Sequence, residues 1–205
     1  MCIKNYLAFA VTMSAASSAF AAMTANVEIA GKVIPTACGI VASQAKIDLG
    51  DIKPDSNGKV AEITRALGTL TVTCAAPTRM QLSYTNTAPV GSNALLPAGW
   101  VQDGKGIANM QLMPSKTTVD NVAGALLYSP NATGDRWSTV STTDYIPLSN
   151  LSNRLSFSNT TSTTPQAMTT AVVELSAKFA EITKANFSNG PIRANQTLTF
   201  ELKYL

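Results

Sequence analysis

The residues able to do chemistry are few, and their types exclude more than they allow. The 205-residue chain has no histidine, which removes the commonest general base and the commonest metal ligand. The acids are scattered. Asp48 and Asp51 sit near the end of a predicted strand, and Asp135 and Asp144 lie in predicted loops. Two carboxylates can form a glycosidase pair, but scattered surface acids are ordinarily solvating groups. No Gly-rich phosphate loop is present. The expectation is a non-enzyme with no catalytic residue, no metal and no cofactor. Trp100 and Trp137 lie in predicted loops, where an aromatic either stacks on a sugar ring or plugs its loop onto the core. A glycan receptor is therefore one open reading. Net charge is +3 and no run of Lys or Arg occurs, so a nucleic-acid partner is not expected.

Cysteine is the other reactive type, at positions 2, 38 and 74. Residues 1–21 carry one cation, Lys4, then the apolar run "YLAFAVTMSAAS" and the small residues "SAFA". This reads as a secretory signal, too short to span a membrane, with cleavage after Ala21. Cys2 leaves with it. An exported chain left with Cys38 and Cys74 is expected to join them. Closing a loop across the 36 positions between them stabilises the fold by roughly 4 kcal/mol on chain-entropy grounds. The spacing is not Cys-x-x-Cys, so the pair reads as structural rather than catalytic.

The elements that must position these residues read as strands. Alternation recurs in "NVEIAGKVI" at 26–34, "AKIDLGDI" at 45–52, "GTLTVTC" at 68–74 and "RMQLSYTN" at 79–86. It returns in "NMQLM" at 109–113, "RLSFS" at 154–158, "VVELSAKFAEI" at 172–182 and "TLTFELKYL" at 197–205. Turn residues separate the runs, as in "KPDSNGK", "APVGSN" and "SPNATGD". Many short strands between turns predict an all-β antiparallel sandwich. Residues 170–185 have helical propensity, but alternation at Val173, Leu175, Ala177 and Phe179 favours a strand. Residues 86–150 are the least regular part. Nothing splits 36–205 into two domains.

The two ends have a particular character. In the last strand Leu198, Phe200, Leu202 and Tyr204 share one face, while Thr197, Thr199, Glu201 and Lys203 share the other. The strand is expected to close the chain, with no further segment to pair with its open side, and an apolar edge of this length invites another strand. Directly after the cleavage site, Val27, Ile29, Gly31 and Val33 share one face of a second strand. Such a strand can be added to another molecule's sheet, and Gly31 suits a place where the recipient crowds in.

With these features the chain resembles the pilin subunits of chaperone–usher fimbriae of Gram-negative bacteria, most closely a pilin-like group encoded beside fimbrial chaperone and usher genes. "VEIAGKVIPTAC" is similar to the family's N-terminal donor segment, "KIDLGDI" to the strand after the first cysteine, and Cys38 with Cys74 to its single disulfide. "NQTLTFELKYL" resembles its C-terminal strand with a penultimate tyrosine. The resemblance implies an incomplete immunoglobulin-like sandwich over 36–205, completed by a donor strand. Residues 22–35 would be the donor segment, giving Val27, Ile29, Gly31 and Val33 to a neighbour. Leu198, Phe200, Leu202, Tyr204 and Leu205 would form the acceptor groove and chaperone contact. The implied partners are a periplasmic chaperone, an outer-membrane usher and other fimbrial subunits, and the implied destination is the cell surface. The extra length in 86–150 leaves major, minor, tip and terminating positions open. The competing reading is a self-contained, monomeric periplasmic or secreted sandwich that binds a ligand, a glycan among the candidates.

Overall fold

The structure is a computed structural model that describes residues 37–89, 96–146, 153–159, 162–187, 191–194 and 196–205. The signal segment and the donor-strand residues Val27, Ile29, Gly31 and Val33 lie outside the described residues. The expected fold class is the one observed: an all-β antiparallel sandwich. Its strands are β1 (Cys38–Ala42), β2 (Ile63–Thr78), β3 (Met80–Asn86), β4 (Ala98–Gln102), β5 (Lys105–Val119) and β6 (Val122–Ala123). They continue with β7 (Ala125–Ser129), β8 (Ser138–Thr139), β9 (Arg154–Ser158), β10 (Met168–Phe179) and β11 (Leu198–Tyr204). One sheet runs β1-β2-β10-β5-β4, with β6 beside β5, and the other runs β11-β3-β9-β7-β8.

This order follows the immunoglobulin scheme. β1, β2, β10 and β5 take the places of the first, second, fifth and fourth strands in one sheet, and β3 and β11 those of the third and sixth in the other. An immunoglobulin sheet places its last strand beyond the sixth. Among the described residues, no strand pairs there with β11.

The inward residues of the alternating runs build the core. Leu70, Val72 and Cys74 of β2 are buried, as are Met80, Leu82 and Tyr84 of β3 and Val173, Leu175, Ala177 and Phe179 of β10. Residues 170–185 therefore follow their period of two rather than their helical propensity. Two-sided burial goes further than alternation implies: Gln81 and Ser83, on the other face of β3, are buried too. Ser83 donates to the Glu201 carboxylate at 3.1 Å, and the Gln81 carbonyl oxygen lies against Gly134.

Two sequence expectations need correction. Residues 45–52 belong to no strand. Leu49 does pack on the core and Ile47 is half-buried, as their alternation implies, but Gly50 takes φ 65° and its N–H bonds back to Asp48 Oδ1 at 2.9 Å. That local turn competes with extension and ends any ladder. Residues 86–150, irregular in pattern, supply β4 to β8, including the fifteen-residue β5. Pro114 hides that strand in the sequence, because proline cannot donate to a ladder. The register between β5 and β10 shifts where Leu175 meets Pro114, which accommodates it.

Candidate functional site: the open edge of β11

The phase of the β3–β11 ladder decides what β11 offers to a partner. Thr87 N–H donates to the Thr197 carbonyl at 3.1 Å, and Leu205 N–H donates to the Arg79 carbonyl at 3.2 Å. With Leu198 opposite Asn86 and Tyr204 opposite Met80, the odd-numbered residues of β11 direct their backbone groups at β3. Alternation then turns the N–H and C=O of Leu198, Phe200 and Leu202 away from β3. Among the described residues no strand receives them.

The side chains of those same three residues point at the core. Leu198, Phe200 and Leu202 are only half-buried, whereas their neighbour across the ladder, Leu82, is fully buried. Phe200 packs on Tyr84 with ring centroids 6.2 Å apart. β11 therefore presents an apolar row, incompletely covered, and beside it a row of outward backbone donors and acceptors. Its other face is polar and held in place. Lys203 Nζ lies 3.2 Å from Glu201 Oε2. The Lys203 and Ser83 hydrogen bonds keep the Glu201 carboxyl below its ordinary range.

Across the opening lies β1, the edge strand of the facing sheet. It pairs with β2 from Cys38 opposite Cys74 to Ala42 opposite Leu70. Ser43 N–H donates to the Thr69 carbonyl and Ala75 N–H to the Ala37 carbonyl. These bonds turn the backbone of Cys38, Ile40 and Ala42 away from β2 by the same alternation. Cys38 and Cys74 are joined by a disulfide, with Cα atoms 4.0 Å apart. They form a non-hydrogen-bonded pair, the kind in which facing side chains come closest. Cys38 N–H donates to the Tyr204 hydroxyl at 3.2 Å, which ties β1 to the far end of β11. Ile40 and the unpaired stretch through Leu49 and Ile52 add half-buried apolar side chains packed on the core.

Of the expected acceptor residues, Leu198, Phe200 and Leu202 form one half-buried row, and the sequence missed what lies opposite them. β1 is only the five residues Cys38–Ala42, too short to show a period of its own. Tyr204 and Leu205 are exposed, at 44% and 49%, and do not share the inward packing of Leu198, Phe200 and Leu202.

The other candidate residues separate. Trp100 is not in a loop: it lies in β4, 5% exposed, donates its indole N–H to the Ala180 carbonyl at 2.8 Å and packs on Phe179. A sugar cannot stack on it, because a centre-facing β4 side chain belongs to the core. Trp137 is half-buried and lines an open cleft. Asp48 is spent on its own turn, and Asp135 accepts from the Asn131 side-chain amide. Among the described residues no group of three His, Cys, Asp or Glu side chains could hold a metal, and no helix is long and apolar enough to cross a membrane. No protein-family model and no curated protein matches the chain.

Proposed function

We propose that the chain is a structural fimbrial subunit, exported to the periplasm, held by a chaperone and assembled by an usher through strand exchange. The supporting observation is the β11 edge, where outward backbone groups of Leu198, Phe200 and Leu202 adjoin a half-buried apolar row. That combination is what an added strand needs: main-chain hydrogen bonds for affinity and alternate apolar side chains for register. Val27, Ile29, Gly31 and Val33 supply such a strand in this reading. Donation from one copy to the next is head-to-tail and does not close on itself, so it builds a filament.

The test is thermal unfolding of residues 36–205 with and without a synthetic peptide of residues 22–35. A midpoint raised by tens of degrees supports strand uptake. A truncated chain that is already stable and indifferent to the peptide favours a self-contained sandwich.

A further inference from the structure

Outside the open edge, the segment joining β7 to β8 carries the most chemistry. Asn131 organises it. Its carbonyl oxygen accepts from Ser129 Oγ at 2.9 Å and from Gly134 N–H at 3.0 Å, and its amide donates to Asp135. That last bond holds the Asp135 carboxyl below its ordinary range. Gly134 has φ 64°, and a Cβ there would meet Gln81 Oε1 at 2.9 Å and the Trp137 ring at 3.0 Å. Glycine therefore lets the turn settle onto β3.

Trp137 consequently forms part of the wall of an open cleft of about 600 Å³, a size common for small-molecule sites. Arg79, from the β2–β3 corner, and Arg136 line the same cleft, as do Thr163 and Thr164. Both arginines are exposed, and neither is in an ion pair among the described residues. Asp135, the carboxylate side chain in the lining, is engaged by Asn131. Beneath Gly134, Gln81 Oε1 is buried with no hydrogen-bond partner among the described residues.

We propose that this cleft binds a carboxylated sugar, a sialic or uronic acid residue, with its ring on Trp137 and its carboxylate on Arg79 and Arg136. An indole offers a flat apolar face to a sugar ring. A guanidinium matches a carboxylate with two parallel hydrogen bonds, and neither arginine is in an ion pair among the described residues, although Asp135 lies near enough to Arg136 to feel its charge. The threonine hydroxyls serve the ring hydroxyls. The inference does not rest on strand uptake at β11, since the binding groups it uses are Arg79, Arg136 and Trp137, although Leu205 also lines the cleft.

Saturation-transfer NMR on the full chain tests it, with N-acetylneuraminic acid, glucuronic acid and neutral methyl galactoside as probes. The expected result is transfer from at least one acid, with the neutral sugar bound about tenfold more weakly or not at all. The acid that binds more tightly identifies the source. Arg79→Ala and Arg136→Ala, both at exposed positions, should each weaken binding about tenfold while leaving the unfolding midpoint unchanged. Trp137→Phe, which keeps an aromatic plug, should weaken it as well. No transfer from either acid, equal binding of the neutral sugar, or arginine variants that bind like the parent would overturn the proposal.

Discussion

Proline substitution along β11 separates the two edges of that strand residue by residue. Proline removes one N–H, and the register says where each N–H points. At Glu201 the lost N–H faces Ser83 on β3. Glu201→Pro therefore breaks a ladder bond and leaves a carbonyl short of its donor, which costs the fold about 1–3 kcal/mol. At Leu202 the N–H faces outward, so Leu202→Pro leaves the β3 ladder whole. Its cost to the fold is the loss of a half-buried leucine, about 1–2 kcal/mol, the same as Leu202→Ala to within about 0.5 kcal/mol. Strand uptake reverses the ranking. Leu202→Pro deletes a donor that an incoming strand needs, and relative to Leu202→Ala it should weaken capture of the 22–35 peptide by about 1–3 kcal/mol, roughly 5- to 150-fold. Urea unfolding measures the first effect and fluorescence titration of a labelled peptide the second. If Leu202→Pro and Leu202→Ala capture the peptide equally well, the outward edge is not where the strand binds.

Three further outcomes follow from the geometry. Asp120 Oδ1 accepts from Thr169 N–H, Thr169 Oγ1 and Thr170 N–H at 2.7–2.9 Å, and the Thr169 hydroxyl leads in holding its carboxyl below the ordinary range. A depressed carboxylate stabilises above its unfolded pKa, near 3.9, and loses that contribution as pH falls through the folded value. Asp120→Ala should thus lower the melting temperature by about 2–4 °C at neutral pH, with the gap narrowing below about pH 4 to the pH-independent cost of alanine at φ 48°; a gap wholly independent of pH would contradict this. Replacing Cys38 and Cys74 together with serine should remove about 4 kcal/mol in urea unfolding, and an unchanged midpoint would show that the link does not constrain the unfolded chain. Gly31→Leu should block assembly while the chaperone-bound subunit still forms, and fibres at the parental level would count against donation by residues 22–35.

The legible part of the fold was the part carried by period-two burial. Leu70, Val72 and Cys74, or Val173 through Phe179, lie between two layers, and no local chemistry competes with their alternation. The stretch 45–52 misled because alternation reports which side chains face inward, not whether a backbone is paired; Asp48 and Gly50 settle that locally. β5 was understated because proline and polar residues on its outer face dilute its pattern, and only the neighbouring β10 and β4 fix it as a strand. Trp100 read as a loop aromatic because β4 is five residues long and its glycine and glutamine neighbours show no period. At the candidate site the apolar row Leu198, Phe200 and Leu202 was visible in the sequence. The outward phase of its backbone was not, since that depends on β3 lying where it does. Nor was the Trp137 cleft, whose arginines at 79 and 136 are far apart in sequence and meet only through the turn seated on β3.

The most direct measurement is residue-resolved amide hydrogen exchange in β11 of the full chain, first as a dilute monomer and then in the presence of further copies. The account predicts slow exchange at Thr199, Glu201 and Lys203 in both conditions, because β3 holds those amides. It predicts fast exchange at Phe200 and Leu202 in the monomer and protection once copies associate. Protection of Phe200 and Leu202 already present in the dilute monomer would mean that the edge is closed within one chain. Fast exchange at both residues under every condition would mean that no strand is received there.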